Sequence, residues 1–398
     1  MTRTLNSIDI RQSIEIREDY DVAVALNYYA PYVSGLTETA RILAEKLAER
    51  GYKVAVAATR HEPDLPEFET IEGVDVYRAP VLMKIGRGPV SPSYPKLVKD
   101  LADRSGALHL HLPMLEAGLI ARMVKDTPIV STYHIDLWLA PSLTSPIQIA
   151  AVNASARAAI AASYHVVVNS EDQIVESVVR DDILARPWSG IPAPCLDPRG
   201  GSPSLRMSGG THYGFLGRIV PDKGVEYLIE AFRRIASSDD TLLLGGEIAT
   251  VAGGSNIDKL NEVAGGDERI HFLGQLDRPR MKDFFASIDV FALTSVAESF
   301  GIVQAEAMMC GIPVVGSNLP GGRVPIEQTG FGILCEPRDV DAISDALLDV
   351  RAFTEEERAE KAKLAHRLYG VEACVDGYAG IFDALNGKAA SEPTALAA

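Results

Sequence analysis

Apolar residues along this chain form two alternating patterns, short continuous runs and longer stretches with helical spacing. A run such as Tyr20–Leu26 is typical of a buried strand, whereas the spacing in Leu36–Arg50 predicts a helix that ends at Gly51. The sequence predicts strands at Tyr20–Leu26, Lys53–Ala58, Ala107–His111, Ile129–Tyr133, His165–Asn169, His212–Leu216, 241–245, 269–273, 289–293, 313–315 and Gly332–Cys335. It predicts helices at Leu36–Arg50, 114–125, 146–162, 171–180, Val225–Ala236, 256–265, 278–287 and Gly301–Cys310, and further helices to about residue 386. This alternation predicts parallel sheets with helices on both faces.

The alternating strands and helices form two series, one before and one after residues 187–210, which are rich in proline, glycine and serine. That composition is typical of a linker between domains, and a chain of 398 residues is too long for a single core. We therefore predict a first α/β domain at 1–186 and a second at 211–370, joined by a linker at 187–210. Residues 387–398 are predicted to be a disordered tail.

Composition and charge narrow the class of protein. With 47% hydrophobic and 23% charged residues, the chain has the composition of a soluble globular protein. Its formal net charge of -16 argues against a nucleic-acid partner. Residues 1–190 hold 19 basic and 24 acidic residues, so a peripheral membrane contact would fall on this less acidic half. The four cysteines show no metal-ligand spacing and the first nineteen residues no apolar signal segment, which together predict free thiols in a cytoplasmic protein.

The stretch from Asp289 to Asn318 combines a strand, a turn and a helix with two carboxylates near the turn. Free backbone N–H groups at the start of such a helix, around 300–303, favour a phosphate. Glu298 lies in the turn and Glu306 lies about two turns into the helix. Carboxylates there suit the hydroxyls of a sugar and a ribose, although Glu298 could equally cap the helix and Glu306 could be solvated.

Other loops after predicted strands carry residues of related chemistry. Arg218 and Lys223, five residues apart, could clamp an anion, because arginine offers a bidentate fork and lysine a point charge. Alternatively, both could be ordinary surface residues. In the first half, Ser34 and Gly35 open a helix and could admit a phosphate. His134 follows a strand directly and is a candidate ligand contact, whereas the other seven histidines are interpreted as core or surface residues.

The segments GRIVPDKG, ESFGIVQAE, CGIPVVGS and LPGG, with PYVSG, GYKVAVAAT and YHID in the first half, resemble the family 4 retaining glycosyltransferases in order and spacing. The resemblance covers about residues 20–385. It implies an α/β protein of GT-B architecture, two Rossmann-like doubly wound parallel-sheet domains facing a cleft. It also implies that a last helix at about 371–386 returns to complete the first domain. It also implies transfer of a hexose-type sugar, with retention of configuration, from a UDP- or GDP-sugar to an acceptor hydroxyl. The acceptor, a small molecule, a lipid or a glycan, is left open, as is the oligomeric state. Acceptor recognition is expected on the loops of the first domain at about 60–95 and 135–148.

The resemblance implies roles for individual residues. Arg218 and Lys223 would hold the donor diphosphate, Glu306 the ribose hydroxyls and Glu298 the sugar, with His134 beside that sugar. The implied catalytic residues are His134, Glu298, Arg218 and Lys223. The implied donor-binding residues are Ser34, Gly35, Arg218, Lys223, Phe300, Gly301, Ile302, Val303 and Glu306. The nucleotide base would rest near Phe272, Leu273, Gly274 and Gln275.

We expect no cofactor beyond the nucleotide-sugar co-substrate, and no metal. Metal-dependent transferases use an Asp-x-Asp pair, but Asp19 and Asp21 start a predicted strand here, and Asp339 and Asp341 cap a predicted helix. The developing charge on the diphosphate would instead be neutralised by basic side chains and the helix at 300. The alternative functions are a GT-B sugar-nucleotide epimerase and a catalytically silent sugar-nucleotide-binding protein.

Overall fold

The computed structural model describes residues 14–85, 88–137, 139, 144–247 and 257–387. The chain forms two compact units. The first comprises the residues up to Ile191 together with those from Cys374 onward, and the second comprises Pro192–Ala373. Each unit has its own hydrophobic core, built on a largely parallel sheet.

The strands of the first unit are β1 (Tyr20–Ala25), β2 (Val54–Arg60), β3 (Phe68–Ile71), β4 (Val74–Pro80), β5 (Met83–Ile85), β6 (Gly88–Val90), β7 (Ser105–Leu112), β8 (Ile129–Tyr133), β9 (His165–Val168) and β10 (Trp188–Gly190). Within the described residues, the main sheet has the order β10-β9-β8-β7-β1-β2-β4-β3, and β5 and β6 form a separate hairpin. Neighbouring strands are parallel except β3, which runs antiparallel to β4. Successive strands are added on one side from β1 to β4 and on the other from β7 onward. The carboxyl ends of β1 and β7 therefore mark the topological switch point.

The helices of this part of the chain are α1 (Gly35–Glu49), α2 (Tyr94–Ala102), α3 (Ala117–Met123), α4 (Ser145–Ala162), α5 (Glu171–Ile174) and α6 (Arg180–Leu184). Helix α1 begins where the side chain of Ser34 accepts a hydrogen bond from the N–H of Thr37, at 3.2 Å. The strand β1 is buried at five of six positions, as expected for a central strand with helices on both faces.

The second unit contains the strands β11 (His212–Leu216), β12 (Thr241–Gly245), β13 (Ile270–Gly274), β14 (Val290–Leu293), β15 (Val314–Ser317) and β16 (Gly332–Cys335). Its helices are α7 (Val225–Ile235), α8 (Ile257–Ala264), α9 (Arg278–Ser287), α10 (Ile302–Met309), α11 (Val324–Thr329), α12 (Val340–Asp349) and α13 (Glu355–Tyr369). The described strands form one parallel sheet in the order β13-β12-β11-β14-β15-β16. This is the strand order of a doubly wound nucleotide-binding fold, with its switch point between β11 and β14.

The last helix, α14 (Val371–Leu385), packs on the first unit. The hydroxyls of Tyr378 and Thr132 are hydrogen bonded at 2.7 Å, and the hydroxyl of Tyr52 donates to Asp383 at 2.5 Å. A helix was expected at about 371–386, and the structure has it within one residue of that range.

Three expectations about local structure need correction. Residues 187–210 are not a free linker, because Trp188–Gly190 pairs with β9 as an edge strand and the N–H of Ser202 donates to Asp283 in the second unit at 2.7 Å. The helix expected at 171–180 is broken into α5 and α6, because the Asp136 carboxylate accepts hydrogen bonds from the Ser177 hydroxyl and the Val178 N–H. The acceptor loop expected at about 60–95 instead contains β3 to β6 and the start of α2.

The expected tail lies, beyond Gly387, outside the described residues, as does part of the expected acceptor loop at 135–148. Across the described ranges, none of the helices combines the length and the apolar character that crossing a bilayer would require.

Candidate functional site

The loops that follow β11 and β14 meet at the switch point of the second sheet. In a parallel sheet, the carboxyl ends of the strands share one edge, and a crevice opens where the strand order reverses. Two hydrogen bonds join these loops: the N–H of Val296 donates to the carbonyl of Asp222 at 2.8 Å, and the hydroxyl of Thr294 donates to the carbonyl of Gly224 at 3.1 Å. The loop containing Lys223 is therefore held against the loop containing Glu298.

Gly224 allows this close approach. It has φ of 60°, the left-handed region that favours glycine, and a Cβ there would collide with the carbonyl oxygen of Thr294. It also ends the short 3-10 helix Pro221–Lys223 and begins α7. Gly224, the second glycine of GRIVPDKG, thus fixes the direction in which the Lys223 side chain leaves the backbone.

Lys223 and Glu298 form a partly buried ion pair in which the ammonium lies 2.8 Å from a carboxylate oxygen. Their side chains are 15% and 14% exposed. Burial by itself would raise the pKa of Glu298, but the Lys223 charge and the N–H groups of Ser299 and Phe300 outweigh it and lower that pKa. Glu298 is therefore a carboxylate at neutral pH that can accept, but not donate, a hydrogen bond.

The start of α10 lies immediately after Glu298. Gly301, with φ of 76°, is the N-cap residue, and a Cβ there would collide with the side chains of Gln304 and Leu293. Within the described residues, the N–H groups of Gly301, Ile302 and Val303 have no acceptor, as expected for a first helical turn. Phe300 differs from the expectation that its N–H meets a ligand, because that N–H interacts with Glu298 and its side chain is buried against Tyr369.

Gln304 is a supporting residue of this site that the sequence reasoning missed. Its buried amide nitrogen donates to the carbonyl of Phe300 at 2.7 Å and to that of Gly322 at 2.6 Å. It thereby joins the first turn of α10 to the glycine pair after β15, where a Cβ on Gly322 would come within 3.1 Å of the Cβ of Glu298. A polar residue among the apolar residues of this helix was the available signal.

Two further predicted donor contacts lie on these elements. Glu306 lies on α10 and is only 7% exposed, so it is not a solvated surface residue. Arg218 is exposed, and its guanidinium makes no hydrogen bond or ion pair within the described part of the chain. The structure thus joins Lys223, Glu298 and the start of α10, whereas the Arg218 side chain, on the same loop as Lys223, forms no hydrogen bond or ion pair with any described residue.

The segment expected near the nucleotide base is the end of the edge strand β13 together with Gln275, which follows it. Phe272 and Leu273 pack partly on the core, Gln275 is exposed, and the carbonyl of Gly274 accepts the N–H of Gly246 at 2.8 Å. It lies at the same edge of the sheet as the Lys223 loop, two strands away. Its role in base binding stays a prediction.

In the first unit, Ser34 and Gly35 stand at the start of α1. The Ser34 hydroxyl is occupied by capping, whereas Gly35 is exposed and a Cβ there would meet no atom within 4 Å. Packing within the unit therefore does not require glycine at position 35. The preceding loop is held by the fully buried Arg78, whose guanidinium donates to the carbonyl of Ala30 at 2.9 Å and pairs with Glu69 at 2.6 Å.

His134 lies just beyond β8 and is buried. Its Nε2 is hydrogen bonded to Nδ1 of His111 at 2.8 Å, and burial lowers its pKa to about 4. The imidazole is therefore neutral at physiological pH. His111 was interpreted as a core or surface residue like the other histidines, and it is buried, but it is also the hydrogen-bonding partner of the one predicted site histidine.

The described residues contain no group of three or more His, Cys, Asp or Glu residues that could hold a metal ion. Asp339 caps α12 by accepting the N–H groups of Asp341 and Ala342, as the sequence predicted. Asp19 pairs with Arg104 at 2.8 Å. Independence from metal stays a prediction.

Comparisons with known proteins identify both units as parts of a glycosyltransferase. A family model described as glycosyl transferases group 1 matches residues 207–366, and a glycosyl transferase 4-like domain matches residues 34–187. The chain is 30% identical over 327 residues to a phosphatidyl-myo-inositol mannosyltransferase of Mycobacterium leprae, covering 77% of this chain and 80% of that protein. It is 27% identical over 345 residues to a GDP-mannose-dependent alpha-mannosyltransferase of Mycolicibacterium smegmatis, covering 82% and 86%.

Among solved structures, sucrose-phosphate synthase from Thermosynechococcus elongatus is similar with a TM-score of 0.74 at 20% sequence identity. The match covers 92% of this chain and 99% of that one. At this identity the similarity concerns the fold, which both chains share over nearly their whole lengths.

Proposed function

We propose, since this chain belongs to the family 4 glycosyltransferases of GT-B fold, that it transfers a hexose from a nucleotide-diphosphate donor to an acceptor hydroxyl with retention of configuration. The observation that carries the proposal is the Lys223–Glu298 pair, held at the switch point of the second sheet beside the unpaired N–H groups of α10. A cation, a carboxylate that accepts hydrogen bonds and the start of a helix therefore lie together at the edge where doubly wound sheets bind nucleotides.

The residues divide the work by charge. The ammonium of Lys223, the guanidinium of Arg218 and the first turn of α10 stabilise the negative charge that develops on the leaving diphosphate. Because Lys223 and the first turn of α10 are held in place by the fold, these two groups need little reorganisation as the charge develops. Glu298, ionised at neutral pH, accepts hydrogen bonds from sugar hydroxyls, and Glu306 does the same for the ribose.

In the first unit, we propose that Gly35 admits the donor phosphate and that His134 contacts the sugar. A Cβ at position 35 would meet no atom within 4 Å, so the space beside Gly35 is open to a ligand. His134 is neutral and fixed, which suits a directed hydrogen bond more than a charge contact. With the leaving phosphate itself assisting attack on the same face, no second carboxylate nucleophile is required.

For the donor, we propose GDP-mannose. Both curated relatives described above are mannosyltransferases, and one of them is GDP-mannose-dependent. A UDP-sugar is the alternative donor. The two donors share the diphosphate and differ in the base and the sugar, so the pockets for these two groups would distinguish them. For the acceptor, we propose an inositol-containing lipid as the first to test, because one relative is a phosphatidyl-myo-inositol mannosyltransferase.

The proposal is tested with a panel of GDP- and UDP-sugars. GDP-mannose should raise the melting midpoint more than the other donors do, because a bound ligand stabilises the folded state by mass action. Transfer of mannose to the acceptor, with the anomeric configuration read by NMR, should then show retention. Conversion of the donor to its epimer without acceptor would instead identify an epimerase, and binding without any turnover would identify a silent binding protein.

A further inference from the structure

Three histidines of the first unit, His109, His111 and His134, lie ring against ring at β7 and just beyond β8. The rings of His111 and His134 are stacked, with centroids 5.1 Å apart and planes 12° apart, and the His109 ring lies 4.3 Å from that of His111. His109 and His111 are 0% and 1% exposed, and His134 is 5% exposed. Of the three residues, His134 is the least buried.

The backbone of His134 is held as firmly as its ring. Its N–H donates to the carbonyl of Leu112 at 3.0 Å, and its own carbonyl accepts the side-chain amides of Gln173 at 2.7 Å and Asn169 at 3.3 Å. With the backbone fixed in this way, the remaining freedom concerns the ring, and His111 is the side chain hydrogen bonded to it.

The hydrogen bond between the two rings contains one proton, and its position decides what His134 offers to a ligand. Both rings are neutral, because burial lowers the pKa of each, so each ring carries a single proton. If His134 donated this proton, the proton of His111 would sit on Nε2, which is buried without a hydrogen-bond partner. If His111 donates it, Nε2 of His111 holds only a lone pair, and the proton of His134 sits on Nδ1. Buried N–H groups without an acceptor are rarer in proteins than under-satisfied acceptors, which favours the second arrangement.

We propose that His111 is a positioning residue that holds His134 in the tautomer protonated on Nδ1, so that His134 presents an N–H donor to an oxygen of the bound ligand. Nδ1 of His134 is the nitrogen left for this purpose, since the other three of the pair are either in the mutual hydrogen bond or enclosed. The assignment of the ligand oxygen to the donor sugar rests on the function proposed above. The tautomer itself does not.

The tautomer is read directly by long-range proton–nitrogen NMR of the full chain labelled with 15N-histidine, which distinguishes a protonated ring nitrogen from a bare one. The signals of His134 are identified by their loss in a His134→Gln variant. We expect Nδ1 protonated and Nε2 bare between pH 6 and 8. A proton on Nε2 of His134 in the wild-type protein would overturn the proposal.

The functional part is tested with two variants of nearly equal size, His111→Asn and His111→Leu. The amide nitrogen of asparagine lies about as far along the side chain as Nδ1 of histidine, so it can still donate to His134, whereas leucine cannot. We expect the leucine variant to lose about tenfold or more in kcat for mannose transfer from GDP-mannose, and the asparagine variant to recover most of it. The matched control is His109→Gln, which changes a neighbouring buried histidine but can keep a hydrogen bond to Thr132, observed at 2.7 Å.

Equal losses in the leucine and asparagine variants, with folding verified by circular dichroism, would show that His111 acts only through packing. The NMR readout separates this result from a failure of the proposed function. If the wild-type protein neither binds nor transfers from any nucleotide sugar, the function fails, while the tautomer is still decided by the nitrogen signals of His134.

Discussion

Replacing Lys223 with methionine removes the counter-charge of a carboxylate that cannot move into solvent. At the observed separation of 2.8 Å, an effective dielectric constant of about 20 gives an attraction of about 6 kcal/mol between the charges. Desolvation offsets part of this attraction in the wild-type protein, and the backbone N–H groups near Glu298 remain in the variant. Removing one partner of a buried pair costs about 3 to 5 kcal/mol, and we expect about 3 kcal/mol here.

The dependence on pH has a defined sign. In the wild-type protein the pKa of Glu298 is lowered, so the stabilisation is present above the pKa of the unfolded chain and is lost as the pH falls through the folded-state value. Without Lys223, burial dominates and raises that pKa. The variant can then relieve its penalty by protonating Glu298, so the stability gap between the two proteins should narrow as the pH is lowered from 7 towards 4.5.

Urea denaturation followed by circular dichroism at several pH values measures this gap. The control is Arg199→Met, which breaks an ion pair with Asp197 of the same 2.8 Å length in the same unit, but with side chains 59% and 43% exposed. An exposed pair contributes about 1 kcal/mol or less. A loss in the Lys223 variant no larger than in the control, or a gap that does not change with pH, would refute the assignment of a buried, charge-stabilised carboxylate.

Three further predictions concern the proposed reaction. Arg218→Ala and Lys223→Ala should each lower turnover by about 10²-fold or more, since each removes a positive charge from the proposed diphosphate site, and near-normal steady-state rates in both would contradict the anion clamp. Transfer should continue in the presence of a chelator; loss of activity that Mn²⁺ or Mg²⁺ restores would show a metal requirement. Gly35→Val should weaken GDP-mannose binding in calorimetry while leaving the melting temperature nearly unchanged, because the added Cβ meets no protein atom within 4 Å; unchanged affinity would separate Gly35 from the donor.

Strands with continuous apolar runs were predictable because their central positions are buried on both faces. The predicted strand Tyr20–Leu26 differs from β1 by one residue, and His212–Leu216 coincides with β11. The edge strand β3 was missed, because it is only partly buried and so carries no continuous apolar run. The boundary between the units, after Ile191, lies inside the predicted linker at 187–210, but proline and glycine there mark irregular backbone and not the absence of packing.

For the site, sequence reasoning identified residue types but not their partners. Lys223 and Glu298 are separated by 75 residues, and only the adjacency of β11 and β14 brings their loops together. The pairing of His111 with His134 follows from the register of β7 on β8, in which His111 stands opposite Thr132. Local spacing carries no information on strand neighbours of this kind, which is why the histidine pair could not be predicted. Gln304 stood out as a polar residue in an apolar helix, but its partners did not follow from the sequence.

The return of α14 to the first unit fixes an order of events during synthesis on the ribosome. The second unit is one uninterrupted stretch, Pro192–Ala373, and all of it has been translated before the contacts of Tyr378 and Asp383 with the first unit can form. The nascent first unit therefore has its sheet without its last helix for as long as about 180 further residues take to translate, which is on the order of 10 to 40 seconds at usual rates. During that time the hydroxyl of Thr132 and the face of β7 that meets Tyr378 and Phe382 are uncovered, so the unit that begins first is the one that finishes last.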